Sequence, residues 1–268
     1  MLAIFTLLAI STTARAQRTG EVPRELDGAG VDEQLGQVIP TDIVFTNENG
    51  ETVTLANYFD GEKPVLLTLV YHNCPMLCSL VLHGLTTAMK DMSWTPGNEY
   101  EVVAVSFNPA ETWEVARREK AKFLRILDRP EAANGWHFLT GTEASIDALT
   151  KSLGFRYKWI EDRQEFAHPS ALMFLDGNGR VSRYVYGVEY KPRDVRAALV
   201  EASEGKVGTA MDQVILYCFQ YDPNANSYVL HAVNLMKIGG LLTLLLLGTM
   251  LYLLRHRETR RPHLKPTP

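Results

Sequence analysis

The spacing of apolar residues in the middle of the chain alternates between the pattern of a strand and the pattern of a helix. Residues 64–71, PVLLTLVY, form a continuous apolar run that is typical of a strand buried on both faces. Residues 75–92 then carry apolar side chains at helical spacing, which predicts an amphipathic helix. Upstream, the segment FTNENGETVTL alternates around Asn49-Gly50, which predicts a hairpin.

Strand and helix signals continue to alternate as far as residue 201. We expect a strand over 101–107, a helix over 111–127, a short strand in WHFLTG, a helix over 143–153 ended by Gly154, a hairpin in ALMFLDGNGRVSRYVYG and a helix over 192–201. This order predicts an α/β fold with a mixed sheet flanked by helices. It is the order expected of a thioredoxin-like fold.

Hydrophobic segments mark both ends of the chain. Residues 1–16 resemble a secretory signal peptide with an Ala14-Arg15-Ala16 cleavage pattern. About 20 apolar residues are enough to cross a bilayer as a helix, and residues 235–254 meet that requirement. The predicted organisation is a signal peptide (1–16), a flexible lead-in (17–35), a thioredoxin-like domain (36–204), a juxtamembrane segment (205–234), one C-terminal transmembrane helix (235–254) and a basic tail (255–268).

Charge gives the expected orientation in the membrane. The whole chain carries a net charge of −4, yet the tail RHRETRRPHLKPTP is strongly basic, so the body is acidic. Basic residues next to a membrane span favour the cytoplasmic side. We therefore expect a single-pass protein of the cell inner membrane, with its globular domain on the periplasmic side and its C-terminus in the cytoplasm. An acidic body argues against nucleic acid as a partner.

Residues that could bind a metal ion or carry redox chemistry lie where the first buried strand is followed by its helix. Cys74 and Cys78 are four residues apart there, and His168 precedes the predicted hairpin. In a thioredoxin-like fold the loop before that hairpin faces the start of the cysteine-bearing helix, so the three residues are expected to meet. Two thiolates and one imidazole suit copper(I), and with slight flattening copper(II).

Other interpretations of these residues stay open. Zinc accepts the same ligands but usually takes four in structural sites, and Met76, His72 and His83 are nearby candidates for a fourth. Taken alone, a CxxxC pair is as often structural as functional, and a single histidine before a strand is commonly a packed or surface residue. The third cysteine, Cys218, is interpreted as a buried or membrane-shielded free thiol.

The chain resembles the Sco/SenC family of copper chaperones. The resemblance covers residues 37–204 and lies in VLLTLVYHNCPMLCSLVLHGL, EVVAVSFNPAETW, WHFLTG and AHPSALMFLDGNGRVSRYVYG. Members of this family are thioredoxin-like, bind copper through a CxxxC pair and a distant histidine, and help to assemble the dinuclear copper centre of cytochrome c oxidase. The resemblance implies that Cys74, Cys78 and His168 are the copper ligands. It also implies a copper-accepting oxidase subunit as the partner.

The chain departs from the family pattern in two motifs and in its anchor. Ser79 follows the second cysteine, where a proline is usual. In SFNPAETW, Asn108, Ala110 and Trp113 stand where family members have aspartate, arginine and proline in a DPxRDTP-like segment. The anchor is C-terminal, whereas an N-terminal anchor is common in the family.

Two classes of function follow from the same residues. The first is a membrane-anchored metallochaperone that delivers copper to cytochrome c oxidase or prepares its dinuclear copper site. The alternative is an enzyme, a thiol–disulfide oxidoreductase that uses Cys74 and Cys78 as a redox pair, draws on a thiol reductant and acts on cysteines of a copper-site partner. A copper or redox sensor is disfavoured, because a tail of about fourteen residues is too short for a signalling domain.

Overall fold

The computed structural model describes residues 28–73, 77–204, 212, 216, 219–222, 227–230 and 232–259. The predicted signal peptide, Cys74 and Cys218 lie outside these residues, as does the side chain of Cys78.

Thirteen strands and five helices form in the described residues. The strands are β1 (Gly30–Val31), β2 (Val44–Thr46), β3 (Thr52–Thr54), β4 (Val65–Val70), β5 (Glu101–Ser106), β6 (Trp136–Leu139), β7 (Phe155–Arg156), β8 (Lys158–Ile160), β9 (Glu165–Ala167), β10 (Ala171–Leu175), β11 (Val181–Tyr186), β12 (Phe219–Asp222) and β13 (Ser227–Leu230). The helices are α1 (Leu77–Asp91), α2 (Trp113–Leu127), α3 (Glu143–Ser152), α4 (Pro192–Ala202) and α5 (Ala232–Thr259).

A five-stranded mixed sheet forms the centre of the domain, in the order β11-β10-β4-β5-β6. Strands β4, β5 and β6 are parallel, β10 is antiparallel to β4, and β11 is antiparallel to β10. Helix α1 connects β4 to β5, helix α2 connects β5 to β6, and α4 follows the β10–β11 hairpin. A βαβ unit joined to a ββα unit in this order is the thioredoxin-like arrangement, which confirms the predicted fold class.

Burial follows the apolar runs of the sequence. Every residue of β4 and β10 is buried, as expected of central strands covered on both faces. Helix α1 contacts both α2 and α4. Burying such apolar area supplies most of the folding free energy, at roughly 25 cal/mol per Å².

The register of β10 against β4 positions the loop before the hairpin. Leu172 pairs with Thr68, and the two strands run in opposite directions. Residues that precede Ala171 therefore lie beyond the carboxyl end of β4. The loop that begins at His168 thus reaches the edge of the sheet from which the chain continues towards the cysteines.

Two described residues of the predicted juxtamembrane segment, Asp212 and Tyr228, contact α4. Arg196 forms two hydrogen bonds of 2.8 Å to the carboxylate of Asp212. The Tyr228 hydroxyl donates to Glu201 Oε2 at 2.5 Å. Strands β12 and β13 pair as a hairpin directly before α5.

Helix α5 contains a candidate membrane span. Its stretch Met236–His256 is long and apolar enough to cross a bilayer, and its side chains are not buried against the rest of the described chain. A core helix of a soluble protein would have most of this stretch buried, and that is not the case here.

Candidate metal centre

His168 lies between β9 and β10 and is buried, with 5% of its surface exposed. Its ring is surrounded by Phe107 at a centroid distance of 5.0 Å, Tyr71 at 6.0 Å and Phe155 at 6.4 Å. Its Nδ1 atom is 2.9 Å from the carbonyl oxygen of Pro169. This contact suits an Nδ1–H donor, and the same bond orients the imidazole and makes Nε2 the nitrogen with a lone pair for a metal ion.

One of the three rings around His168, that of Tyr71, belongs to the segment that leads from β4 to the cysteines. Tyr71 follows β4 directly and stands three residues before Cys74 in the chain. Cys74 lies outside the described residues. Cys78 lies in the first turn of α1, and only its backbone is described. The structure therefore brings His168 to the end of β4, while the three-ligand site stays a prediction.

A buried carboxylate holds the backbone just ahead of Cys74. Glu111, 9% exposed, accepts hydrogen bonds from the amides of His72 at 2.7 Å and Asn73 at 2.6 Å. The Ser106 hydroxyl, at the end of β5, donates to the same carboxylate at 2.6 Å. Charge-assisted bonds to a carboxylate are roughly twice as strong as neutral ones, so this end of β4 is firmly fixed.

The sequence did not point to Glu111, which was predicted to begin the helix over 111–127. The helix begins at Trp113 instead, after Thr112 in an extended N-cap conformation. Asn108 closes a tight turn before it, because its carbonyl accepts from the Glu111 amide at 3.1 Å. This turn points the Glu111 side chain back into the protein. The signal available in the sequence was an Asn-Pro turn followed by a single acidic residue, which is too common to identify a buried contact.

The three candidates for a fourth ligand have different surroundings. His72 is buried, and its Nε2 is 3.2 Å from the carbonyl oxygen of Leu139. Burial lowers the pKa of His72, so its ring is neutral at pH 7. Its Nδ1 atom has no hydrogen-bond partner among the described residues. His83 is exposed on α1, and Met76 lies outside the described residues.

The β8–β9 hairpin packs against the aromatic rings that surround His168. Phe166 of β9 contacts both Tyr71 and Phe107 at centroid distances of 5.5 Å. Trp159 of β8 packs on Phe166 at 4.8 Å and is 42% exposed. This hairpin was not predicted from the sequence. Its aromatic residues pack on two of the rings that contact His168.

The described residues alone hold no cluster of three or more histidine, cysteine, aspartate or glutamate side chains arranged for a metal ion. What they provide is one oriented imidazole at the edge of the sheet. Two thiolates supplied by the neighbouring segment would complete a soft donor set, and the apolar walls would keep water away from it. A donor set of this composition would fit a copper ion.

Comparisons with known proteins identify a family and similar folds. A family model described as SCO1/SenC matches residues 31–204. A crystal structure of a proposed electron transfer protein from Aquifex aeolicus VF5 is 26% identical, with a TM-score of 0.55, and the match covers 63% of this chain and 94% of that one.

Two further solved structures are similar to the chain. A proposed electron transport protein from the same organism is 25% identical, with a TM-score of 0.52, over 63% of this chain and 98% of that one. A SCO1/SenC family lipoprotein from Bacillus anthracis str. Ames is 19% identical, with a TM-score of 0.49, over 65% of this chain and 99% of that one. A search of curated proteins gave no match.

Proposed function

The chain belongs to the SCO1/SenC family, and from that premise we propose that it is a membrane-anchored copper chaperone. It binds copper and delivers it to cytochrome c oxidase, or prepares the dinuclear copper site of that enzyme. The observation that carries the proposal is the position of His168, an oriented imidazole 6.0 Å from the ring of Tyr71 at the end of the strand that leads to Cys74.

The proposed ligands are the thiolates of Cys74 and Cys78 and Nε2 of His168. Thiolate and imidazole ligands suit copper(I), and a set of only three falls short of the four ligands that structural zinc sites usually have. Copper is cargo here, so it must be able to leave, and a shell of three ligands leaves room for a ligand of the acceptor. Exchange through shared ligands would then pass the ion to a copper-accepting oxidase subunit.

The proposed location is the periplasmic side of the inner membrane, with α5 as the anchor and the C-terminus in the cytoplasm. The exposed apolar stretch Met236–His256 and the basic tail support this orientation. Anchoring raises the effective concentration of the domain near a membrane-bound partner.

Copper titration of the reduced full chain in detergent, without oxygen, tests the proposal. We expect one copper(I) ion per chain, loss of binding in Cys74→Ser and Cys78→Ser, and a copper affinity lowered at least about tenfold in His168→Ala. His137→Ala is the matched control, because it removes an imidazole from β6 that contacts Glu101 instead. A His168→Ala variant with unchanged affinity and an unchanged copper(II) spectrum would contradict the three-ligand site.

The alternative is a thiol–disulfide oxidoreductase that uses the same two cysteines. The thioredoxin-like topology favours it, since this fold commonly supports dithiol chemistry at the start of its first helix. His168 has no necessary role in that reaction. Turnover of a peptide disulfide in copper-free buffer, undiminished in His168→Ala, would support the enzyme over the chaperone.

A further inference from the structure

Glu111 makes an unusual set of contacts for a buried carboxylate. Its two oxygens accept from two consecutive backbone amides, Oε2 from His72 at 2.7 Å and Oε1 from Asn73 at 2.6 Å. Two neighbouring N–H groups that point to one side form a concave anion-binding site. The carboxylate therefore fixes the direction of the backbone over both residues.

The carboxylate is itself held in place from β5. Ser106, fully buried at the last position of that strand, donates its hydroxyl to Glu111 Oε2 at 2.6 Å. The Glu111 amide donates to the carbonyl of Asn108 at 3.1 Å. Both the side chain and the backbone of Glu111 are thus tied to the end of β5, which pairs with β4.

We call the contacts of the Glu111 carboxylate with the amides of His72 and Asn73 the Glu111 clamp. Its position directly before Cys74 gives it a role beyond packing. Asn73 is followed directly by Cys74, and α1 begins at Leu77. Only residues 74–76 connect the clamped backbone to the helix that bears Cys78. A metal ligand must be held within about 0.5 Å of its working position by its supporting contacts, and the clamp supplies one of the two fixed ends of this segment.

We propose that Glu111 is a positioning residue of the metal site, which sets the path of the backbone into Cys74. The inference rests on the proposed function for its metal chemistry, although the clamp itself is independent of copper.

Glu111→Gln is the discriminating substitution. Glutamine keeps the size of the side chain but replaces one accepting oxygen with an NH₂ group, which cannot accept from an amide. Glu114→Gln is the matched control, because it removes the same charge three residues later from a fully exposed side chain that hydrogen-bonds Thr112. Both variants are made in the full chain in detergent, and circular dichroism establishes that each is folded.

Two measurements separate positioning from stability. The first is the rate at which Cys74 of the reduced, copper-free chain reacts with iodoacetamide, determined by tandem mass spectrometry. Release of the preceding backbone should raise that rate about threefold or more in Glu111→Gln. The second is copper affinity, where loss of an outer contact typically costs about 10–100-fold. Glu114→Gln should leave both unchanged.

A folded Glu111→Gln variant with the wild-type Cys74 rate would overturn the proposal, even if its melting temperature fell. Glu111→Asp serves if the glutamine variant does not fold, because it keeps the charge but cannot reach both amides. Its Cys74 rate should also rise, and a wild-type rate would overturn the proposal. If the wild type bound no copper, the proposed function would fail, while the Cys74 rate would still test the clamp.

Discussion

A glutamate carboxylate lies at each end of strand β5, and the two carboxylates have different partners. Glu101, at the amino end, contacts two side chains, Lys63 Nζ at 2.5 Å and His137 Nε2 at 3.4 Å. Glu111, just beyond the carboxyl end, contacts two backbone amides and the Ser106 hydroxyl. The same residue type thus forms an ion-pair cluster at one end of the strand and holds a loop at the other.

The difference separates two uses of buried charge. A carboxylate paired with side chains stabilises the sheet but leaves the backbone free to follow its own path. A carboxylate bound to consecutive amides determines that path. The amino end of β5 is therefore expected to contribute stability alone, whereas the carboxyl end also shapes the candidate metal site.

Phe107→Ala is expected to have the largest effect. It tests whether the carboxyl end of β5, next to the candidate metal site, also contributes to the free energy of unfolding. Phe107 is fully buried and contacts the rings of Tyr71, Phe155, Phe166 and His168. Removal of a buried phenylalanine side chain costs about 3–5 kcal/mol of unfolding free energy. Chemical denaturation of the full chain in detergent measures the loss, with the more conservative Phe107→Leu as control. A loss below about 1 kcal/mol would show that the carboxyl end of β5 contributes little to the free energy of unfolding.

Glu101→Gln tests the amino end and should have a smaller effect. It removes the charge that binds Lys63 and His137, and hydrogen bonds to charged groups contribute about 1.5–3 kcal/mol each. Unfolding free energy should fall by an amount in that range, while copper affinity and the Cys74 alkylation rate stay at wild-type values. Glu62→Gln, on the exposed surface nearby, is the control. A change in copper affinity in Glu101→Gln would remove the distinction between the two ends.

A lower pH should reduce the contribution of Glu101 to the free energy of unfolding. This is the smallest of the expected effects. Burial opposes ionisation of Glu101, but His137 and Lys63 outweigh it and hold the pKa below its ordinary value. The stabilisation is therefore complete above the unfolded pKa of about 4.3 and is lost as the pH falls through the lower folded pKa. The stability difference between wild type and Glu101→Gln should shrink over that window in unfolding measurements at several pH values. A constant difference would contradict the pKa assignment.

Local signals in the sequence were sufficient for the main elements. The continuous apolar runs predicted β4, β5 and β10, and helical spacing predicted α1 to α4 within about two residues at most ends. Gly154 was predicted to end a helix, and it has a φ of +62° after α3. Its close approach to the carbonyl of Asp32, where an added Cβ would lie 1.9 Å from the oxygen, depends on tertiary packing that no local pattern encodes.

The candidate site was predictable in part. His168 could be assigned to the sheet edge because the order of the elements fixed the topology. Glu111 could not, because its role depends on a contact with residues 38 and 39 positions earlier in the chain. The β8–β9 hairpin was also missed, since its strands are three residues long and carry charged side chains next to the aromatic ones.

The contacts of Asp212 and Tyr228 with α4 leave little freedom of movement between the domain and α5. Tyr228 and Asp212 are bound to α4, and only residue 231 separates β13 from α5. One extended residue spans only about 3.3–3.6 Å, so it is too short to act as a flexible linker. A bilayer crossed by α5 would hold the body at a nearly constant height. Its search for a partner would then reduce to lateral diffusion and rotation about the membrane normal.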